Sequence, residues 1–112
     1  MGVSRPLKAR GAQTKIVAPE PSSSPVLTTG KGGPHRVEGI AARFRPPHLK
    51  DGQYDEVRTV DEQEARAMAR RQAREEGIFA ATSSGLNVVA ALQLAQEIGR
   101  GKTVTMSRWI AD

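Results

Sequence analysis

The sequence contains no cysteine, which excludes both a disulfide framework and a thiolate metal site. Aromatic residues make up only 4% of the 112 residues, against 38% hydrophobic residues, so a core must be built from aliphatic side chains. No apolar run approaches the roughly 18 residues of a membrane-spanning helix, and the N-terminus lacks the apolar stretch of a signal peptide. These absences predict a cytoplasmic protein that does not contact a membrane.

The charge balance is positive but evenly mixed. Lysine and arginine total 17 against 12 acidic residues, a net charge of +5. A positive field attracts anions, including phosphates and nucleic acid. Because acidic residues are interleaved with the basic ones, however, the pattern favours solvated faces over a nucleic-acid surface. The length allows one domain.

The first half of the chain predicts two strands separated by a long loop. Residues 15–18 form an apolar run that we interpret as a buried parallel strand ending at Pro19, because proline cannot continue a hydrogen-bonded ladder. Residues 20–53 are rich in proline, glycine and serine and predict a loop. Residues 54–60 predict an edge strand. Asp61 then begins a helix, with Glu64 in the position of a capping box.

The second half is organised around residues 75–92. The helix that begins at Asp61 is expected to end at Gly77, followed by a short strand over residues 78–81 and a tight turn at Ser83-Ser84-Gly85. One of the two serines is expected to cap a second long helix, which is predicted over Ser84 to Ile98 because apolar residues recur there at helical spacing. Residues 102–106 predict a last strand. Open α/β folds bind ligands at such turns, where strands end and helices begin.

Two stretches carry a family resemblance. Residues 15–49 read KIVAPEPSSSPVLTTGKGGPHRVEGIAARFRPPHL, and residues 75–104 read EEGIFAATSSGLNVVAALQLAQEIGRGKTV. They resemble the C-terminal part of the cysteine synthase and cystathionine β-synthase family, which are pyridoxal-phosphate (PLP) enzymes of the tryptophan-synthase-β fold type. The resemblance implies an α/β fold, as a partial three-layer sandwich with a short, mostly parallel sheet flanked by helices, over residues 1–112.

The resemblance also implies a reaction and a site. The reaction is β-replacement, in which a sulfur nucleophile takes the place of a leaving group on an amino acid, giving cysteine from serine or O-acetylserine. Ser83 matches the serine whose hydroxyl faces the pyridine nitrogen of PLP. Gly39 and Ile40 match the glycine-rich wall on the substrate side, although Arg43 stands where a small residue is common. From the residues alone, Ser83 is also explained as a helix cap.

The resemblance places the Schiff-base lysine and the phosphate loop upstream of Met1, so we assign no catalytic residue and no metal ligand. The chain alone is expected to be inactive and to need a complementary N-terminal half, with a homodimer as the other form of assembly. The substrate of the complete enzyme would be a small amino acid. A second interpretation is a catalytically inactive remnant that serves as a protein- or nucleic-acid-binding module.

Overall fold

The computed structural model describes residues 4–34, 47 and 52–106. Within these residues no helix has both the length and the apolar composition that a membrane crossing requires. The elements are, in chain order, helix α1 (Ser4–Ala9), strand β1 (Val17–Pro21), helix α2 (Val26–Thr29), strand β2 (Glu56–Val60), helix α3 (Glu62–Glu76) and helix α4 (Thr82–Ile98).

Strands β1 and β2 form a two-stranded parallel sheet. Val17 lies opposite Glu56, and Pro21 lies opposite Val60. Both strands were expected from the sequence, and their parallel pairing confirms the prediction for the first. The predicted end of β1 at Pro19 is wrong, because the strand continues through Pro19 to Pro21.

The hydrogen-bond pattern explains how β1 tolerates two prolines. The carbonyl oxygen of Ile16 accepts a hydrogen bond from the N–H of Asp55 at 2.8 Å, and the N–H of Ser22 donates to the carbonyl of Val60 at 2.9 Å. The even-numbered residues of β1 therefore face β2. Both prolines fall on odd-numbered positions, whose backbone groups point away from β2, so no ladder bond with β2 is lost.

Helices lie on both faces of the sheet. Side chains alternate along a strand, so Glu20 of β1 and Val60 of β2 lie on opposite faces in the observed register. Val60 shares an apolar cluster with residues of α3 and α4. Glu20 instead accepts hydrogen bonds from α2. The predicted α/β class, with a short parallel sheet between helices, is confirmed.

Helix α3 begins and ends where the sequence predicts. Asp61 is its N-cap, and Oδ2 of this residue accepts a hydrogen bond from the N–H of Glu64 at 3.2 Å. Gly77 ends the helix with a φ of 66°, a left-handed conformation that glycine adopts without the steric cost of a Cβ. The N-cap aspartate and the C-terminal glycine each act within one helical turn, so both ends of the helix can be predicted from the local sequence.

The stretch predicted as a loop over residues 20–53 contains regular structure in its first part. Its first two residues complete β1, and α2 follows. The carboxylate of Glu20 accepts hydrogen bonds from the N–H of Leu27 at 2.8 Å and from the N–H and Oγ1 of Thr28 at 3.0 and 2.6 Å. These contacts satisfy amides at the start of α2 that have no partner within the helix. The loop prediction is therefore wrong for this segment.

Two predicted strands are absent from the described structure. Residues 78–81 contain no more than a single bridge, at Ala80, and residues 102–106 have no regular secondary structure. Both stretches have strand-forming composition. A strand is stable only when a neighbouring strand satisfies its backbone groups, and in the described structure the pairing of these two stretches is limited to the single bridge at Ala80. The strand predictions are wrong for this chain.

The core lies between α4, α3 and the sheet. Leu86 and Val89 of α4 pack with the last residue of β2, and Met68 of α3 covers this group from the side. Gly85 brings the two helices close together, because a Cβ at this position would lie 2.1 Å from the carbonyl oxygen of Ala65. The complete cluster consists of Val60, Ala65, Leu86, Val89 and Ala90.

Candidate functional site

The first turn of α4 carries the two serines singled out from the sequence. The helix begins at Thr82, with Ala81 as its N-cap in extended conformation and no side-chain cap. The carbonyl of Ala81 accepts hydrogen bonds from Ser84 at 3.0 Å and from Gly85 at 3.2 Å. The predicted tight Ser-Ser-Gly turn is thus the first helical turn itself. The prediction that Ser83 or Ser84 caps the helix is wrong.

Ser83 and Ser84 are both buried, with 8% and 0% of their surface exposed. No hydrogen bond joins the Ser83 hydroxyl to another residue in the described part of the chain. In the same part, Gln72 Oε1 is the one fully enclosed side-chain atom that lacks a partner, so the Ser83 oxygen is not sealed inside the core. A hydroxyl that is more than nine-tenths buried and has no hydrogen-bond partner within the described residues is suited to bonding a polar atom of a ligand.

The position of this turn in the fold follows from two contacts. Leu86, in the first turns of α4, belongs to the cluster that contains Val60, the last residue of β2. Near the other end of α4, Oε1 of Glu97 accepts a hydrogen bond from Nη1 of Arg58 at 2.9 Å. The helix therefore runs antiparallel to the strands, and its N-terminus lies toward the end at which the strands finish. In α/β folds, ligands bind at that edge of the sheet.

Opposite this edge, a charged network ties the start of the sheet to α4. Nε of Arg58 donates to Oε1 of Glu56 at 2.8 Å, and Lys15 pairs with Glu56 at 2.9 Å. The hydrogen bond from Arg58 lowers the pKa of the Glu97 carboxyl, and the same bond raises the pKa of Arg58. The hydrogen bond from Lys15 lowers the pKa of Glu56. These groups hold elements together and lie far from Ser83 along the helix.

Asp55 fixes α1 to the sheet in a similar way. Its Oδ2 accepts a hydrogen bond from the backbone N–H of Ile16 at 2.7 Å, and its Oδ1 pairs with Lys8 of α1 at 2.8 Å. The bond from Ile16 lowers the pKa of this carboxyl, and Lys8 adds to the effect. The hydroxyl of Ser4, which is fully buried, donates to the carbonyl of Gln53 and makes a second attachment for α1.

Acidification is expected to loosen this network. The pKa values of Asp55, Glu56 and Glu97 are lower in the folded protein than the value of about 4 that such groups have in an unfolded chain. Their stabilisation is therefore complete above about pH 4 and is lost as the pH falls through the lowered values. The urea midpoint should therefore fall as the pH is lowered below about 4. In Glu97→Gln the fall should be smaller, and an equal fall in both proteins would contradict this role.

The loop after β1 is closed by its own contacts. The N–H of Gly33 donates to Oγ of Ser24, which is buried, at 3.0 Å. A Cβ on Gly33 would lie 2.1 Å from the carbonyl oxygen of Ser23, so glycine is required for this approach. Gly39 and Ile40, predicted to line the substrate side, lie outside the described residues.

Sequence reasoning missed Glu20 and Gly85. Glu20 lies too far before α2 to match a standard capping position, and no residue pattern marks it in advance. Gly85 was interpreted as a turn residue, whereas it is helical and allows close packing of α3. A glycine followed directly by an apolar helical pattern was the available signal for that role.

Comparison of the sequence with known proteins identifies the family of this chain. A model described as pyridoxal-phosphate dependent enzyme matches residues 1–107. Cysteine synthase from Staphylococcus aureus is 47% identical over 103 residues, which are 92% of this chain and 33% of that protein. O-ureido-L-serine synthase from Streptomyces lavendulae is 39% identical over 100 residues, covering 89% of this chain and 31% of that protein.

Solved structures agree in fold. Cysteine synthase from Entamoeba histolytica superposes with a TM-score of 0.80 at 38% identity, covering 85% of this chain and 28% of its own. A crystal structure of O-ureido-L-serine synthase gives 0.84 at 39% identity, covering 90% and 32%. This chain spans about a third of the length of these relatives. The resemblance seen in the sequence is confirmed, and the chain belongs to the family of pyridoxal-phosphate dependent enzymes.

Proposed function

We propose that this chain forms the C-terminal part of a cysteine synthase-like enzyme that carries out β-replacement on an amino-acid substrate such as serine or O-acetylserine. Its similarity to cysteine synthase supports this class of reaction. The observation that carries the site is the Ser83 hydroxyl, which is buried at the sheet edge without a partner in the described residues. The Schiff-base lysine and phosphate loop would come from the remainder of the fold.

The described residues fit PLP at one point. The pyridine nitrogen of PLP has one lone pair in the plane of the ring and accepts one hydrogen bond. Ser83 offers one hydroxyl donor from a buried position in the first turn of α4. The neighbouring serine, Ser84, is fully enclosed and already has a partner, so it is less suited to this role. The arrangement provides a single contact to the ring. The Schiff-base lysine and the phosphate loop would come from the rest of the enzyme.

The chemistry of that contact follows from the donor. PLP, when bound, withdraws electrons from the amino acid attached to it. A serine hydroxyl is neutral and holds its proton at pH 7, so Ser83 would hydrogen-bond the ring nitrogen without protonating it. A carboxylate in its place would favour a protonated ring and stronger electron withdrawal. The hydroxyl therefore favours loss of a leaving group over reactions that need a long-lived carbanion.

The alternative of a nucleic-acid-binding remnant has less support. In the described part of the chain, five basic side chains are engaged in ion pairs with carboxylates of the same chain, and so these five do not contribute to an unpaired positive surface. These are Lys8, Lys15, Arg58, Arg66 and Arg71. A binding function would need basic side chains clustered on one face without matching acids.

Ser83→Ala is expected to weaken PLP binding about 2- to 12-fold, which corresponds to the loss of one net hydrogen bond of about 0.5–1.5 kcal/mol. The protein for this test is a chimera in which this chain replaces the matched 103 residues of the S. aureus cysteine synthase. PLP affinity is measured by titration of absorbance near 410 nm, which is characteristic of PLP held by a lysine in general.

Ser23→Ala is the matched control, because it removes the same hydroxyl from an exposed serine in the loop. PLP affinity should be unchanged in that variant. Equal affinity in Ser83→Ala and the parent chimera would contradict the proposed contact. A chimera that folds but shows no PLP absorbance at all would contradict the proposed function.

A further inference from the structure

Glu20 is the one acidic side chain that is buried in the described part of the chain, with 6% of its surface exposed. Its Oε2 accepts a hydrogen bond from the N–H of Leu27, and its Oε1 accepts two more from the N–H and Oγ1 of Thr28. No ion pair among the described residues includes Glu20. Burying a carboxylate is costly unless hydrogen bonds replace its hydration. These bonds therefore fix both Glu20 and the segment that donates them.

The donating segment belongs to a loop that closes on itself, residues 22–33, which we call the Glu20 loop. Oγ of Ser24, which is buried, accepts a hydrogen bond from the N–H of Gly33 at 3.0 Å. Helix α2 lies between these two residues in sequence. The Glu20 carboxylate therefore holds the middle of the loop, while the bond between Ser24 and Gly33 holds its ends together.

The bonds from Glu20 attach this loop to the sheet. The N-cap of α2 is Pro25, whose side chain makes no capping hydrogen bond. A serine or aspartate at that position would satisfy the same amides locally, without connecting α2 to β1. Because the acceptor comes from β1 instead, Glu20 determines where the loop lies relative to the strand ends.

The Glu20 loop begins at the same edge of the sheet as the turn that carries Ser83. The N–H of Ser22 donates to the carbonyl of Val60 at 2.9 Å, and the side chain of Val60 packs with Leu86 near the start of α4. Glu20 faces the opposite side of the sheet from Val60. The loop and the start of α4 therefore flank the strand ends from the two faces of the sheet. Ligands of open α/β folds bind in the crevice at this place.

We infer that Glu20 is a positioning residue for the amino-acid substrate, because it fixes the Glu20 loop as the wall of this crevice opposite α4. The inference rests on the proposed function, in which Ser83 on the α4 side contacts the pyridine nitrogen. PLP binds amino acids at the ring position across from that nitrogen, so the substrate lies a ring's width from Ser83 and needs a different wall. The loop also leads in sequence, through Pro34, to Gly39 and Ile40, which the sequence resemblance assigns to the substrate side.

The test uses the chimera with the S. aureus cysteine synthase and compares kinetics with O-acetylserine as the substrate. Glu20→Gln keeps the size of the side chain but turns one acceptor into a donor, which then faces a donor of α2. The loop should shift, and KM for O-acetylserine should rise about 10-fold. The kcat and the PLP affinity, read by the same absorbance titration, should each change less than about 2-fold, because the loop does not touch the reacting atoms.

Two further variants separate this role from general stability. Glu97→Gln removes a carboxylate that bonds Arg58 at the opposite end of the sheet, so it should lower stability and leave KM unchanged. Thr28→Val removes the hydroxyl bond to Glu20 from an exposed residue and keeps both amide bonds. It should raise KM about 3-fold, and it carries the test if Glu20→Gln does not fold.

Amide hydrogen exchange of the whole 112-residue chain measures the loop without any activity. In Glu20→Gln the amide of Gly33 should exchange at least about 5-fold faster, although it is bonded to Ser24 and not to Glu20. The amide of Gly99, which is bonded to Ala95 at the end of α4, should exchange at the parent rate. An unchanged rate at Gly33 would overturn the hold of Glu20 on the loop.

The outcomes separate this inference from the proposed function. An unchanged KM in Glu20→Gln, with PLP bound and substrate turned over, would overturn the inference and leave the proposed function in place. A fall in PLP affinity that matches the rise in KM would also overturn it, because Glu20 would then support the fold in general. A parent chimera without PLP absorbance would contradict the proposed function and the substrate role of Glu20 together, whereas exchange at Gly33 would still show whether Glu20 fixes the loop.

Discussion

Gly85→Ala is expected to destabilise the fold by about 3 kcal/mol, the upper end of the usual range for overpacked cores. The Cβ would lie 2.1 Å from the carbonyl oxygen of Ala65 and 3.0 Å from the N–H nitrogen of Ala69. Both are backbone atoms of α3, so no side-chain rotation relieves the contact. The two helices would have to separate, which would loosen the cluster around Leu86. Urea unfolding followed by circular dichroism measures the change.

The crowding of Gly85 predicts a loss of stability in Gly85→Ala, which is opposite in sign to the usual effect of this substitution in a helix. In an uncrowded helix, replacing glycine with alanine stabilises by roughly 1 kcal/mol. Gln96→Ala, on an exposed position of the same helix, is the control and should change stability by less than about 0.5 kcal/mol. A Gly85→Ala variant as stable as the parent would show that α3 and α4 are not in close contact.

Leu86→Ala should cost about 2–5 kcal/mol, the range for truncation of a fully buried leucine. Leu86 is 1% exposed and is the largest fully buried side chain in the described structure. Its removal would leave a cavity between α4 and the end of β2, next to the turn that carries Ser83. Because small domains have total stabilities of about 5–15 kcal/mol, this change could unfold a large fraction of the molecules at 37 °C.

Leu92→Ala is the matched comparison, because it makes the same chemical change in the same helix at a side chain that is 49% exposed. It should cost less than about 1 kcal/mol. The urea midpoints of the two variants, measured side by side, give the difference. Equal losses would mean that Leu86 is not the centre of the core.

Features with local signals were predictable from the sequence. The start of α3 at Asp61 and its end at Gly77 depend on residues within one helical turn, and both were found. The apolar pattern of α4 was also found, although its start was placed two residues late. The parallel pairing of β1 was inferred from an apolar run of a few residues, and it is confirmed by the register with β2.

Features that depend on distant partners were not predictable. The carboxylate of Glu20 organises α2 from seven residues away, and its role appears only once the chain has folded back. Conversely, residues 102–106 have strand composition, but a strand also needs a neighbour, and composition does not report whether one is present. Their prediction failed for that reason, not because the propensity was misread.

The candidate site was predictable only in part. Ser83 was identified from its resemblance to a family motif, and its burial at the start of α4 is compatible with that role. The contact to PLP, the substrate-side role of Gly39 and Ile40, and a cytoplasmic location stay predictions. The helix-cap explanation of Ser83, which the residues alone allowed, is ruled out because Ala81 is the N-cap.

The two prolines of β1 have a consequence for the edge of this strand that faces away from β2. Because they occupy the odd-numbered positions, Pro19 and Pro21 leave that edge without two of the amide donors a pairing strand would use. An unfamiliar peptide that aligned there would find carbonyl acceptors but few donors, and its own carbonyls would be left unsatisfied. This edge is therefore a poor template for an added strand, which lowers the tendency of the isolated chain to form intermolecular sheets.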